Sequence, residues 1–405
     1  MNRRQPFGRG TWRSGLDRLL VDGLARLSGR SYGLLSHAAS LTLDLRPAYL
    51  ALAASGAPPT ALFGPEHGFH GVEQDMVAAD DATDPSSGLP IRSLYGTDEA
   101  SLKPSPDAFA GLDLLLVDLQ DVGARYYTYA ATAVWAAEAA LAAGCEVWVL
   151  DRPNPLGGVV EGNLLDLDHA SFVGAFRLPV RHGLTLGELV RLEARRRGWR
   201  ETYERRPDVW PLDRWQRNDG WGAGRPWLAP SPNMPTLATA VLYPGSCLIE
   251  ATEASEGRGT TRPFQLVGAP GLDATALAER LRGHRLPGVG FVPAHFRPQY
   301  QKHAGEVCSG VEIVVTDAKS VRPYRLGVEL LFALREVAGD DFAWRREPYE
   351  FVADRPAIDL LSGGDALRRI VEAADREALD IWIAGWAADE SAFRSERASV
   401  MLYGD

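Results

Sequence analysis

Carboxylate, imidazole and guanidinium side chains recur along this chain just past short apolar runs, beside glycines that let the backbone turn tightly. The first such stretch is Phe63-Gly64-Pro65-Glu66-His67-Gly68-Phe69-His70-Gly71. A glutamate beside an imidazole in a partly dry pocket can be tuned as general acid or base, which makes Glu66 and His67 catalytic candidates. The plainer alternative is that they cap the segment that follows. His67 and His70, with Glu66 and Glu73, also have the side-chain types of a catalytic zinc site. Their three-residue spacing in a glycine-rich loop supplies no defined third ligand, so no metal is expected.

A second stretch, Asp118 to Tyr129, leaves one apolar run and enters a helical period. Gln120, Asp121 and Arg125 can bond hydroxyls or a carboxylate, and Tyr126, Tyr127 and Tyr129 offer flat apolar faces with polar tips, a combination suited to a sugar. The alternative pairs Asp121 with Arg125 structurally. Asp151-Arg152-Pro153-Asn154-Pro155-Leu156-Gly157-Gly158 presents Asp151 and Asn154 on a stiffened loop. In His182 to Leu189, Thr185 reads as an N-cap with Glu188 at the third helical position, a structural role for Glu188 that leaves His182 open. Further on, Pro230 to Thr236 is a rigid connection carrying Asn233. Glu250 to Pro263 then alternates carboxylates, hydroxyls and guanidinium groups around Gly257 and Gly259, as would suit a loop gripping a charged, hydroxyl-rich ligand.

Other signatures lose their support on inspection. Gly29-Arg30-Ser31-Tyr32-Gly33 has the nucleophile-elbow spacing, but its strand follows the serine instead of preceding it. No dinucleotide glycine pattern after a strand, no phosphate-loop lysine and no H-E-x-x-H is present, and no cofactor is expected.

The elements that must position these groups read as an α/β fold. Tyr32 to Ser36, Ala61 to Phe63, Leu114 to Leu119 and Glu146 to Leu150 are buried strands, and Thr128 to Ala143, closed by Gly144, is a crossover helix. Ligands of open parallel sheets bind at the carboxyl ends of strands, where three of the polar loops converge. Beyond a proline-punctuated passage at Pro226 to Pro235 come strands near Phe264 to Val267, Gly290 to Val292 and Val311 to Thr316. Helical periods follow at Ala274 to Arg282, Gly327 to Val337 and Asp365 to Ala374. The expected division is a basic tail over 1–13, a parallel-sheet domain over 14–229 and a smaller mixed α/β domain over 230–405.

Composition narrows the partners. With 43 Lys+Arg against 53 Asp+Glu, a net charge of −10 and no basic run interleaved with aromatics, nucleic acid is not an expected partner. No window approaches the roughly 20 apolar residues of a spanning helix, and no apolar core of a signal peptide follows Arg3, Arg4, Arg9 and Arg13. Cys145, Cys247 and Cys308 lie far apart in apolar surroundings, which suits a reducing cytoplasm. Oligomeric state is open.

Taken in order, L-F-G-P-E-H-G at 62–68, G-L-P-I-R-S-L-Y-G at 88–96, D-L-Q-D-V-G-A-R-Y-Y-T-Y at 118–129, L-D-R-P-N-P-L-G-G at 150–158, P-S-P-N-M-P-T at 230–236 and S-E-G-R-G-T-T at 255–261 resemble the exo-β-N-acetylmuramidase family. The resemblance implies a Rossmann-like domain joined to a smaller α/β domain. It also implies hydrolysis of terminal β-linked N-acetylmuramic acid from the non-reducing end of peptidoglycan fragments, with no dinucleotide. By position it makes Glu66 the leading catalytic carboxylate and general acid, with His67 beside it. It brings Glu256, Arg258 and Thr260 across from the second domain. Arg258 and Arg125 would meet the lactyl carboxylate, Gln120, Asn154 or Asn233 the N-acetyl and hydroxyl groups, and Tyr127 the sugar face. The chain departs from the family at Glu253 and over Ser36 to Ser40. The expected setting is recycling of imported wall fragments. The rivals are a non-catalytic binding protein for the same sugars and a metal-dependent hydrolase using His67 and His70.

Overall fold

A computed structural model of the chain describes residues 11–74, 76–78, 80–222 and 224–404. Its larger sheet contains β1 (Tyr32–Ser36), β2 (Ala61–Gly64), β3 (Ala82–Thr83), β4 (Pro90–Ser93), β5 (Leu114–Asp118), β6 (Glu146–Leu150) and β9 (Asp208–Trp210), in the order β3-β4-β2-β1-β5-β6-β9. Every pairing is parallel except β3 with β4. These strands are continuous apolar runs because both faces are covered. Leu34, Leu116 and Trp148 pack on one side while their neighbours Leu35, Val117 and Val149 pack on the other.

The helix Tyr129–Ala142 returns the chain from β5 to β6 and is buried nearly all round, which its alanines permit by letting neighbours approach closely. Thr185 caps the helix Leu186–Arg196 in a capping box with Glu188, as its spacing predicts, and the Glu188 carboxylate also pairs with buried Arg217 at 2.6 Å. β7 (Glu161–Leu164) and β8 (Pro179–Arg181) form a separate antiparallel pair.

The smaller sheet is antiparallel, in the order β10-β12-β11, from β10 (Leu266–Ala269), β11 (Val289–Phe296) and β12 (Cys308–Val315). The helices Leu237–Ser246 and Pro323–Ala338 cross at Gly245 and Gly327, where a Cβ on Gly245 would lie 1.9 Å from the Pro323 carbonyl oxygen. Only glycine allows that approach, and the turn bearing Glu250 issues directly from it. The long helix Arg376–Arg397 packs back on β7, and Tyr403 Oη donates to Asp151 Oδ2 at 2.6 Å, so the chain's end closes on the first lobe.

At the other end, residues 1–10 of the expected tail lie outside the described residues. Trp12 is buried, donates to the Trp221 carbonyl at 2.8 Å and lies under the Arg225 guanidinium, so packed structure begins ahead of residue 14. Among the described residues no helix is long and apolar enough to cross a membrane. All three cysteines are buried thiols.

Candidate active site

The loop after β2 doubles back sharply. A Cβ on Gly64 would meet the Phe69 nitrogen at 2.6 Å, and His67 holds φ at +69°, a left-handed conformation that is costly for a β-carbon-bearing residue. The turn buries Glu66, whose Oε2 accepts the Thr128 hydroxyl at 2.5 Å. Thr128 stands at the start of the helix Tyr129–Ala142 but makes no cap bond there, its hydroxyl being given to Glu66. His67 Nδ1 lies 3.0 Å from the Glu73 carbonyl oxygen. A carbonyl only accepts, so Nδ1 carries a proton.

The crevice at the topological switch between β1 and β5 is filled by the protein itself. His37 Nε2 accepts the Gln120 backbone N–H at 2.9 Å, and its ring meets Tyr129 edge-on at 5.1 Å. Burial lowers the His37 pKa to about 3, which keeps the ring neutral. In the segment that departs from the family, Ser36, His37, Ala39 and Ser40 are buried and Ala38 is exposed.

The cavity opens instead above the loops after β2 and β5, facing the second lobe, and Glu66, His67, Tyr127, Asn233, Glu250 and Arg258 are among its lining. The cavity is narrow, with a volume of about 30 Å³. Arg258 comes from the glycine-rich loop of the second lobe. Its guanidinium meets Glu250 Oε1 at 3.0 Å and lies over the Phe264 ring at 5.2 Å. The other Glu250 oxygen accepts the Tyr349 hydroxyl at 2.6 Å. Behind Arg258, Glu256 is 3.9 Å from its Nε and is paired with Lys302 at 3.0 Å, while Lys302 also gathers the carbonyls of Ile249, Glu250 and Ala254. Glu350 completes the carboxylates of the lining and accepts the Tyr95 hydroxyl at 3.2 Å. Burial pushes the Tyr127, Tyr243 and Tyr349 phenols well above their ordinary range, so all three enter any chemistry as neutral hydroxyls. Left-handed φ at Phe264 (+63°), Glu350 (+47°) and Phe351 (+67°) puts further strained backbone around this cavity.

Five candidates from the sequence thus meet here: Glu66, His67, Tyr127, Asn233 and Arg258. The Asn233 amide donates to Gln74 at 2.9 Å, and its Oδ1 accepts from Tyr300. The other five lie outside the lining. Arg125 donates to the carbonyls of Asn163, Leu178 and Leu361 and holds the β7–β8 region, paired with neither Asp121 nor the cavity. Gln120 donates to the Asp121 and Pro153 carbonyls. Asn154 bridges Leu184 and Leu156, and Thr260 donates to the Gly257 carbonyl at 2.6 Å. Glu256 stands behind Arg258. His182 is fully buried, accepts the Leu184 N–H and faces Asp121 at 3.9 Å. Glu253 is exposed, so that departure from the family also falls outside the lining.

Sequence reasoning missed Glu250, Tyr349 and Glu350 as site residues. Glu250 sits inside a motif already marked, whereas nothing local distinguishes Tyr349 and Glu350. The metal reading finds no cluster: among the described residues no three His, Cys, Asp or Glu side chains come together to hold an ion. The His70 ring turns instead to Asp84 at 3.3 Å, and Glu73 offers His67 its carbonyl.

Comparison with known proteins agrees with this two-lobed arrangement. The family models described as "Exo-beta-N-acetylmuramidase NamZ, N-terminal" and "Exo-beta-N-acetylmuramidase NamZ, C-terminal" match residues 32–238 and 241–403. The chain belongs to the exo-β-N-acetylmuramidase NamZ family. A NamZ relative, the peptidoglycan beta-N-acetylmuramidase of Bacillus subtilis (strain 168), is 38% identical over 364 residues, covering 89% of this chain and 84% of that protein. Two crystal structures of DUF1343 family proteins from Bacteroides fragilis NCTC 9343 are similar throughout. One has a TM-score of 0.84 at 30% identity, covering 98% of this chain and 100% of the other. The second has a TM-score of 0.75 at 26% identity, covering 98% and 99%.

Proposed function

We propose that this member of the NamZ family is an exo-acting β-N-acetylmuramidase. It would release N-acetylmuramic acid from the non-reducing end of peptidoglycan fragments, with Glu66 as general acid. The observation that carries the reading is the meeting, in one cavity, of a buried glutamate from the first lobe with a carboxylate-anchored arginine from the second. Hydrolysis of a glycoside needs a proton for the departing oxygen and stabilisation of an oxocarbenium-like carbon. Thr128 occupies Oε2 of Glu66, so the transferable proton belongs on Oε1. That proton passes to the bridging oxygen as its bond to the anomeric carbon breaks. A water oxygen then bonds to the carbon, and its proton returns to a carboxylate.

Arg258 is the guanidinium of the lining, and Glu250 and Tyr349 fix its orientation for a lactyl carboxylate. Glu350, the further carboxylate of the lining, which accepts the Tyr95 hydroxyl, is assigned the second carboxylate. The narrowness of the cavity implies that the lobes part to admit a sugar. Incubation of the chain with a disaccharide bearing terminal β-linked N-acetylmuramic acid, followed by mass spectrometry, tests the reading. Free N-acetylmuramic acid supports it. Binding without turnover, or faster cleavage of the matching substrate that lacks the lactyl ether, overturns it.

A further inference from the structure

The segment from Arg191 to Arg206 carries Arg191, Arg195, Arg196, Arg197, Arg200, Arg205 and Arg206 against Glu193, Glu201 and Glu204, a basic stretch in a chain of net charge −10. The helix Leu186–Arg196 starts beside Asp151, at the carboxyl end of β6. β9 runs parallel to β6, so the chain has returned to the amino-terminal edge of the sheet by Asp208, away from the cavity of Glu66. A cleft of about 450 Å³ opens there, and its walls include Arg191, Arg195, Arg200 and Arg206.

These arginines divide by partner. Arg196 pairs with Glu193 at 2.8 Å and Glu396 at 2.7 Å, Arg197 with Glu138 at 3.0 Å, and Arg205 donates to the Gly144 carbonyl at 2.7 Å. None of these three lines the cleft. The four that do line it make no side-chain hydrogen bond or ion pair among the described residues. The two acids of the cleft are Glu201 and Asp208, and Asp208 is also approached by Arg26 at 3.9 Å, so four arginines share the cleft with two carboxylates. A helix C-terminus favours a cation in its last turn, and this accounts for Arg195. It does not account for Arg191, Arg200 and Arg206, for which the cleft supplies only the acids Glu201 and Asp208. The floor beneath them is apolar, with Ala194, Val209 and Val400.

We propose that this cleft binds a small organic phosphate carrying at least two negative charges. Guanidinium forks match phosphoryl oxygens two at a time, and the apolar floor takes the organic body. The volume is that of a small-molecule pocket. Calorimetric titration of the full chain with ADP, inorganic pyrophosphate and adenosine tests the proposal.

ADP is expected to bind one to one with a Kd below about 1 mM, weakening as salt is raised, with pyrophosphate weaker and adenosine weaker still. The double substitution Arg191→Gln and Arg200→Gln, at a half-buried and an exposed position, is expected to weaken ADP at least about tenfold, while Arg285→Gln with Arg346→Gln, remote exposed positions, leaves it unchanged. Absence of saturable ADP binding, undiminished affinity in the cleft variant, or equal loss in the control variant overturns the site. Pyrophosphate binding as tightly as ADP overturns the organic part of the assignment.

Discussion

In the proposed mechanism, replacing Glu66 by glutamine removes the proton donor and little else. The side chain is buried, glutamine has nearly its shape, and the amide oxygen can accept the Thr128 hydroxyl that now lies 2.5 Å from Oε2. Fold stability should therefore change by no more than about 1 kcal/mol, the usual scale of one altered hydrogen bond. General acid catalysis contributes about 10²- to 10⁴-fold, or roughly 3 to 5 kcal/mol of barrier, so turnover of a disaccharide should fall by that factor. The informative comparison is the leaving group. A sugar alkoxide needs protonation to depart, whereas a nitrophenolate departs as the anion, so E66Q should lose far less on a nitrophenyl muramoside than on the disaccharide. Parallel measurement of kcat/KM on the two substrates, with urea unfolding to confirm the fold, provides the assay. Equal losses on both would show that Glu66 acts by position and not by proton delivery.

Arg258→Met should lower kcat/KM about 10- to 100-fold on an N-acetylmuraminide but only a few-fold on the substrate without the lactyl ether, because one charge-assisted contact is lost. Arg258→Lys should recover part of that loss, and equal losses on both substrates would assign Arg258 a purely structural role. Gly257→Ala should destabilise the chain by about 2–4 kcal/mol in urea unfolding, since Gly257 sits at φ +83° and a Cβ there would lie 2.7 Å from the Leu266 carbonyl oxygen. Burial raises Asp121 to about 7. A carboxyl raised in this way contributes most below its unfolded pKa near 4 and loses that contribution, on the order of 4 kcal/mol, as pH rises through about 7. Asp121→Asn should accordingly gain thermal stability relative to the parent between pH 5 and pH 8, and an unchanged difference in Tm across that range would refute the assignment.

What could be read from the sequence follows from how locally each feature is encoded. β1 and β6 are bounded as their apolar runs predict, and the helix between β5 and β6 differs by one residue at each end, because burial on both faces writes itself into consecutive residues. Short β3, β4 and β9 carry no such run, and β4 begins with Pro90. The helix Leu237–Ser246 contains Pro244 amid a proline-rich passage, where punctuation argues against a helix until tertiary packing on Pro323–Ala338 supports it.

The same distinction runs through the site. Glu66, His67 and Arg258 were legible because each stands in a glycine-flanked motif whose backbone must turn at that residue. Arg125, Gln120, Asn154, Glu256 and Thr260 occur in equally dense motifs, yet their polar atoms meet backbone carbonyls, amides and a lysine, because loops leaving a buried sheet edge must satisfy their own polar groups first. A motif's polarity therefore marks a loop that is buried and ordered, without saying which members face outward from it. That division is decided by the facing lobe. Tyr349 and Glu350 enter the cavity from nearly 300 residues beyond Glu66, with Glu350 held in a left-handed conformation. What holds them there is pairing with distant segments, Tyr349 with Glu250, Glu350 with Tyr95 and the Arg345 N–H with the Ala251 carbonyl, contacts that no local spacing encodes.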